Sequence, residues 1–227
     1  DGALTGGLAY EGLNNAGRSK RNFIVILNDN KMSISKNVGS IARYLAHMRT
    51  KPTYLKVRNN LGDIVEKTPV FGKPLSRLLS KSKETLKSAI YDSTLFQDMG
   101  FFYYGPFDGH NINELLNVLN VAKKINGPVL IHVITTKGKG YKFAEKDPRN
   151  FHGISGFDIK TGEQSLSNPN FSEEFGSELC KLAKNDTRIC AITAAMKMGT
   201  GLMEFAREFK DRFFDVGIAE EHAVTFA

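Results

Sequence analysis

The stretch from residue 1 to residue 35 limits what this chain can fold into more than any other. It begins with an acidic residue among glycines, Asp1-Gly2-Ala3-Leu4-Thr5-Gly6-Gly7, and continues through residues 4–16, which are typical of a helix rich in small residues. The apolar run at residues 23–27 is of the kind expected for a parallel strand buried on both faces. Oxygen-bearing side chains follow it directly, within residues 28–35. This order predicts a site in which a hard cation holds a phosphate.

The residue types at this site favour Mg2+, which takes oxygen ligands and commonly shares them with a phosphate. Asp1 would give a carboxylate oxygen, Asn30 an amide oxygen and Met32 a backbone carbonyl. The Met32 thioether is a poor ligand for Mg2+ and is expected to pack instead. Taken singly, Asp1 is equally typical of a helix N-cap, and residues 28–30 are equally typical of a turn after a strand. Their combination around one strand favours the metal site.

The net charge of +7 at pH 7 is unevenly distributed along the chain. Residues 36–90 hold 12 Lys and Arg residues against 3 Asp and Glu residues. These basic residues alternate with apolar residues and prolines and form no recognised nucleic-acid motif, so they predict a solvated cover rather than a nucleic-acid surface. The sequence has no apolar run near the length of a membrane span. Two cysteines, Cys180 and Cys190, do not indicate a disulfide framework, which favours a reducing cytoplasm.

Alternating helix and strand patterns predict an α/β fold with a parallel sheet. In the first part, short helices are expected around residues 39–50 and 75–90, a turn at residues 104–110, and a helical stripe with a buried strand over residues 112–135. A second α/β unit begins at Ser172, the expected helix cap, and Phe175, Leu179 and Leu182 are expected to face its core. The predicted domains are residues 1–150, with a basic insertion at 36–90, and residues 172–227, with a linker at 151–171.

Further segments carry a resemblance to one enzyme family. They lie at residues 104–110, 137–141, 144–148, 151–153, 191–196 and 215–226. With the two motifs already described, they make the chain similar to the 1-deoxy-D-xylulose-5-phosphate synthases, thiamine-diphosphate enzymes of the transketolase-like group. The most specific runs are Asn-Asp-Asn-Lys-Met-Ser-Ile-Ser at 28–35 and Gly-Ile-Ala-Glu-Glu-His-Ala-Val-Thr at 217–225. The resemblance implies a parallel-sheet thiamine-diphosphate-binding fold, with the chain an internal fragment that covers parts of two α/β domains.

The resemblance also implies roles for individual residues. The implied ligands of Mg2+ are Asp1, Asn30 and Met32. The implied contacts of thiamine diphosphate are Gly2, Ala3, Asn30, Tyr141 and Glu220. The implied catalytic residues are Glu220, which would hydrogen-bond the aminopyrimidine ring and promote its activation, and His152, near the reacting carbon.

Each of these roles has a plainer alternative. Glu220 precedes a helix and would complement the helix dipole, although its neighbour Glu221 suits that role better. A carboxyl group that acts as an acid here would need an apolar environment to raise its pKa. Tyr141 would equally cover the basic turn at residues 137–140, and His152 would equally be a solvated loop residue.

The activity implied by the resemblance is the condensation of pyruvate, with loss of CO2, and glyceraldehyde 3-phosphate to 1-deoxy-D-xylulose 5-phosphate. That product would feed isoprenoid, thiamine and pyridoxal biosynthesis. A homodimer in the cytoplasm, or in the plastid if the source is a plant, is expected, with no nucleic-acid or membrane partner. The alternatives are a transketolase-type transfer of a ketol unit, and a truncated fragment that binds the cofactor without catalysis. The fragment by itself is expected to be inactive.

Overall fold

The structure is a computed structural model that describes residues 2–32, 39–50, 94–164 and 170–227. Contacts divide the chain into two compact units. The first contains Asp1–Glu11, Asn28–Arg43 and Thr135–Ala227, and the second contains Gly12–Leu27 and Tyr44–Ile134. Asp1, the helix predicted at residues 75–90 and most of the basic insertion lie outside the described residues.

The described elements alternate between helices and strands. The helices are α1 Gly7–Arg18, α2 Gly39–Thr50, α3 Leu95–Asp98, α4 Ile112–Ala122, α5 Lys142–Lys146, α6 Phe171–Asn185, α7 Met203–Glu208 and α8 Glu220–Phe226. The strands are β1 Phe23–Asp29, β2 Phe102–Asp108, β3 Pro128–Ile134, β4 Ala191–Thr193 and β5 Phe213–Asp215. Two 3-10 helices, Gly2–Thr5 and Lys210–Arg212, complete the described elements. The predicted α/β class with parallel sheets is confirmed, and so is the helix expected at residues 39–50.

The first sheet has the strand order β1-β3-β2, with β2 and β3 parallel. Its central strand β3 is buried along almost its whole length, as its apolar sequence predicts. Leu115 and Leu119 of α4 pack against a core that includes Val129, Ile131 and Val133. At the edge of the sheet, β1 is less buried than predicted, since Phe23 and Ile26 are about half exposed.

The turn predicted at residues 104–110 is wrong over most of its length, because residues 104–108 belong to strand β2. The register between β2 and β3 shifts between Tyr104 and Phe107. Gly105 and Pro106 lie at this irregularity. Proline has no backbone N–H to donate, and at a bulge this does not break a regular ladder of hydrogen bonds. An added Cβ on Gly105 would lie 2.3 Å from the His132 carbonyl oxygen, so only glycine fits. Turn-forming residues therefore mark a bulge inside a strand here.

Helix α1 begins at Gly7 and ends at Arg18, so it starts and ends later than the predicted residues 4–16 and includes Gly17. An ideal Cβ on Gly17 would lie 2.0 Å from the carbonyl oxygen of Met99. The glycine is therefore required by the close approach of the chain at Met99 rather than by the end of a helix.

The second sheet pairs β4 with β5 in parallel and packs on α6. Asn170, not the predicted Ser172, caps α6, because its side chain accepts the Glu173 N–H at 3.0 Å. The inner face of α6 also differs from the prediction. Its buried residues are Gly176, Cys180 and Ala183, whereas Phe175 and Leu182 are exposed and Leu179 is partly buried. Small residues face inward because the chain at Gly201 passes 2.0 Å from an ideal Cβ on Gly176.

Within the described parts of the chain, no helix is long and apolar enough to cross a membrane. Residues 151–164, part of the predicted linker, contain an isolated bridge between Phe157 and Gln164. The division into residues 1–150, 151–171 and 172–227 stays a prediction.

Candidate functional site

The loop after β1 carries the predicted metal ligands Asn30 and Met32. Its backbone is shaped by two side chains that turn back on the chain: Asp29 Oδ1 accepts the Lys31 N–H at 3.2 Å, and Asn30 Oδ1 accepts the Met32 N–H at 3.0 Å. Lys31 takes the left-handed conformation, with φ of 66°. Thr135, after β3, donates its hydroxyl to Asn28 Oδ1 at 2.6 Å. Local turns and an adjacent strand end therefore fix this loop.

The chemistry of these donors suits a hard cation. Asn30 offers an amide oxygen, which also accepts the Met32 N–H, and Met32 offers a backbone carbonyl. Among the described residues, no group of three or more His, Cys, Asp or Glu side chains could hold a metal. The donor set is thus one of neutral oxygens that fits Mg2+ better than Zn2+, with the Asp1 carboxylate expected from outside the described residues.

The segment that contains Gly2 and Ala3 is a 3-10 helix, and it contacts a distant part of the chain. The Thr5 hydroxyl lies 2.8 Å from the Gly2 carbonyl oxygen and 3.1 Å from the carbonyl oxygen of Ile218. An ideal Cβ on Gly6 would lie 2.9 Å from the same Ile218 oxygen. The predicted diphosphate segment therefore touches the loop that precedes Glu220.

The loop between β5 and α8 is organised by Asp215 at the end of β5. Asp215 Oδ1 accepts the Ala195 N–H at 2.9 Å and the Gly217 N–H at 3.1 Å. The Val216 N–H donates to the Thr193 carbonyl at 3.0 Å and so extends the pairing with β4. Gly217 has φ of 77°, a conformation that favours glycine. Sequence reasoning did not assign this role to Asp215, although an aspartate directly before a glycine turn is a recognisable signal.

Glu220 is the first residue of α8, with Glu221 next to it in the first turn. The helix begins after Ala219, which contributes no side-chain cap. Glu220 is exposed among the described residues, so the apolar environment expected around its carboxyl group is not formed by this part of the chain. The position places a carboxylate beside the unpaired N–H groups of a helix start.

Tyr141 lies in an aromatic cluster that sequence reasoning missed. Its ring centroid is 5.4 Å from Phe143, 5.6 Å from Phe151 and 5.7 Å from Phe157. Its hydroxyl donates to the Ile159 carbonyl at 3.0 Å. Desolvation, and to a lesser degree the charge of Asp158, raise the pKa of the Tyr141 hydroxyl. The signal for this cluster is the recurrence of aromatic residues from 141 to 157.

His152 is exposed and follows Phe151, a member of that cluster. Its backbone N–H donates to the Arg149 carbonyl at 3.1 Å. Lys137 lies between β3 and Tyr141, and burial lowers the pKa of its ammonium group. The aromatic cluster thus connects the basic turn after β3 to the loop that carries His152.

Every described residue of the predicted site falls within the first compact unit. The Asn30 loop, Tyr141, His152 and Glu220 are spread over the sequence, yet the contacts group them together. Thr5 and Asp215, to which the sequence analysis gave no role, and Gly6 of the glycine-rich motif all contact the loop between β5 and α8.

Two family models match the chain. The family model described as 1-deoxy-D-xylulose-5-phosphate synthase matches residues 1–135, more than half of the chain. The chain belongs to the 1-deoxy-D-xylulose-5-phosphate synthase family. A second model, described as the pyrimidine binding domain of transketolase, matches residues 167–227. The predicted resemblance is confirmed, and the family is one of thiamine-diphosphate enzymes with a transketolase-like fold.

Curated relatives of the synthase family match the whole chain. The 1-deoxy-D-xylulose-5-phosphate synthase of Clostridium perfringens (strain ATCC 13124) is 54% identical over 228 residues, which is 37% of that protein. Those of Caldanaerobacter subterraneus subsp. tengcongensis and Symbiobacterium thermophilum are 52% and 51% identical, and the chain covers 37% and 35% of them. The chain therefore spans about a third of the length of the relatives it matches.

Proposed function

We propose that the full-length protein condenses pyruvate, with loss of CO2, and glyceraldehyde 3-phosphate to 1-deoxy-D-xylulose 5-phosphate. The observation that carries the proposal is that the Asn30 loop and Glu220, far apart in sequence, belong to one compact unit of a chain of this family. When bound, thiamine diphosphate would supply the chemistry of an acyl-anion equivalent, which the loss of CO2 from a 2-keto acid requires.

The residues proposed to hold Mg2+ and the diphosphate lie at residues 1–3 and in the loop after β1. Asn30 and the Met32 carbonyl would ligate Mg2+ together with Asp1, and the ion would neutralise the diphosphate. The backbone at Gly2 and Ala3, which precedes α1, would approach the diphosphate at a helix start.

Two side chains are proposed to handle protons. Glu220 would share a proton with the aminopyrimidine ring of the cofactor, and burial of its carboxyl group by the cofactor and the rest of the protein would favour that exchange. His152, exposed beside the aromatic cluster, would exchange a proton with the substrate. Tyr141 would contribute its ring to the site, because its hydroxyl is bonded to Ile159.

The pathways, the oligomeric state and the location of the protein are proposed from its family membership. The product would enter isoprenoid, thiamine and pyridoxal biosynthesis. The protein would be a homodimer in the cytoplasm, or in the plastid if the source is a plant. The 227-residue chain by itself would be inactive, since it covers 37% or less of the first relatives.

The test is Glu220→Gln in the full-length protein, with Glu221→Gln as the matched control. The amide keeps the shape of the side chain but cannot share a proton in the same way, so turnover should fall on the order of 100-fold or more. Deuterium exchange of the thiazolium proton of the bound cofactor, followed by NMR, should slow to a similar extent, while cofactor affinity stays within about 2-fold. Exchange as fast as in the parent would remove Glu220 from the reaction.

A transketolase-type reaction is the second candidate, because residues 167–227 match the transketolase pyrimidine binding domain. The two activities differ in their donor. Incubation with pyruvate as the sole donor and glyceraldehyde 3-phosphate as acceptor should give CO2 and a 1-deoxy sugar phosphate. Turnover only with a ketose phosphate as donor would favour the ketol transfer instead.

A further inference from the structure

Two segments that are more than 200 residues apart in sequence meet at the backbone of Ile218. One is the 3-10 helix Gly2–Thr5, which follows Asp1, and the other is the loop that leads into α8. We propose that the Thr5 hydroxyl is a positioning group, which fixes the loop before Glu220 and thereby the orientation of Glu220 relative to the diphosphate segment. This inference rests on the proposed function and adds a residue to which neither the sequence motifs nor the family match gave a role.

The hydrogen bonds of Thr5 link the two segments directly. Its hydroxyl proton is shared between the Gly2 carbonyl at 2.8 Å and the Ile218 carbonyl at 3.1 Å. Thr5 is partly buried, and Gly2 and Leu4 beside it are buried, so water competes poorly for these carbonyls. A hydroxyl that serves both segments at once holds them at a fixed separation.

Gly6 makes the same contact possible by its lack of a side chain. An ideal Cβ at this position would lie 2.9 Å from the Ile218 oxygen, which is closer than real Cβ atoms come. Any larger residue would push the loop before α8 away from the 3-10 helix. The separation of the two segments is therefore set by Gly6 and kept by Thr5.

The other end of the loop is also fixed, so a shift at Ile218 has to move Glu220. Asp215 accepts the Gly217 N–H at 3.1 Å, which holds the start of the loop on β5. Ala219 is buried, and its carbonyl accepts the Ala223 N–H at 2.9 Å as the first bond of α8. Ala219 is the single residue between Ile218 and Glu220, so a displacement of Ile218 also displaces the start of α8.

The first experiment compares Thr5→Val and Thr5→Ser in the full-length protein. Valine keeps the shape but removes the hydroxyl, whereas serine keeps the hydroxyl. Without cofactor, the backbone amides of residues 217–223 in the Val variant should exchange with deuterium about 5-fold faster, as expected for one lost hydrogen bond. With cofactor, thiazolium proton exchange should slow about 5- to 10-fold while cofactor affinity changes less than about 2-fold. Serine should restore both rates.

The second experiment perturbs the contact from the other side. Gly6→Ala should reproduce the faster amide exchange at residues 217–223, because the added methyl group displaces the Ile218 carbonyl. Gly12→Ala, within α1, is the control, since a Cβ on Gly12 meets nothing within 4 Å. Both variants carry the same chemical change, so a difference between them reports the contact at Ile218.

Three results would overturn the proposal. They are unchanged amide exchange in Thr5→Val, equal damage in the Val and Ser variants, and a loss of cofactor affinity that accounts for the whole kinetic effect. Each is distinguishable from failure of the proposed function, which is tested by Glu220→Gln. If that variant slows thiazolium exchange and Thr5→Val does not, the function stands and the positioning role of Thr5 is wrong.

Discussion

The loop after β1 and the loop after β5 are each held by an aspartate at the end of the strand, but their other contacts differ. In each, an aspartate at the strand end accepts the backbone N–H two residues further on, Asp29 from Lys31 and Asp215 from Gly217. In the first loop, Asn30 repeats that local turn with Met32. In the second, the aspartate also reaches the Ala195 N–H.

The difference suits the function that is proposed for each loop. Metal ligation needs oxygens on a tightly turned backbone, and adjacent Asx turns supply this from a few consecutive residues. Orientation of Glu220 needs a loop that is fixed against other segments, and the bonds from Ala195 and Thr5 supply that over long sequence separations. The first loop is held by two local turns and by the bond from Thr135, whereas the second combines one local turn with bonds from Ala195 and Thr5.

The largest effect is expected at the first loop. Asn30→Ala in the full-length protein should weaken Mg2+ and thiamine diphosphate binding together by about 100-fold, because the proposed Mg2+ ion would be held by Asn30 and would neutralise the diphosphate. Calorimetric titration of the cofactor, with and without Mg2+, measures this. Asn15→Ala, an exposed asparagine of α1, is the control and should bind as the parent does. Unchanged affinity in Asn30→Ala would remove this loop from the metal site.

A smaller effect is expected at the second loop. Asp215→Ala leaves the Ala195 and Gly217 N–H groups without their acceptor, and their amide hydrogen exchange should accelerate about 10-fold. Asp108→Ala is the matched control, since Asp108 accepts one N–H, from His110, in an exposed turn. Equal effects of the two substitutions would contradict the view that tertiary contacts fix the loop after β5.

The sequence predicted what depends on local pattern. The apolar run of β3 and the stripe of α4 follow from hydrophobic periodicity. The sequence did not predict that Gly17 and Gly176 leave room for the backbone at Met99 and Gly201, because those contacting residues are distant in sequence. The contact of Thr5 with Ile218 escaped for the same reason. The local sequence thus identified the motifs, whereas the residues that hold the motifs in place were identified only from the tertiary structure.

Tyr141 offers a third case, in which a predicted cofactor contact also has a structural role. Tyr141→Phe removes the hydroxyl bond to the Ile159 carbonyl, so amides of residues 157–164 should exchange about 5-fold faster. The ring contacts with Phe151 and Phe157 remain, and cofactor affinity should change less than about 2-fold. Hydrogen exchange and calorimetry on the full-length protein measure both. A large loss of affinity with unchanged exchange would mean that the hydroxyl serves the cofactor instead.

The smallest effect is expected at Asp158, an exposed counterpart of the aspartates at the strand ends. N–H groups of Thr161 and, to a lesser degree, Lys160 hold the pKa of the Asp158 carboxyl below its ordinary value of 3.8. Since the folded pKa is the lower one, the stabilisation is present above pH 3.8 and is lost as the pH falls through the folded pKa. Amide protection at residues 160–161, corrected for intrinsic rates, should therefore stay constant down to about pH 4 and fall below it.

The same carboxylate raises the pKa of Tyr141, as the smaller of two causes after desolvation. Asp158→Asn removes the charge but keeps an amide oxygen that can accept the turn N–H groups. The pKa of Tyr141, followed by NMR of labelled tyrosine, should therefore fall at low salt and fall less at high salt, because the charge is exposed and screened. A Tyr141 pKa that is independent of both the substitution and the salt would show that desolvation alone raises it. The turn at Asp158 would then have no electrostatic link to the aromatic cluster beside His152.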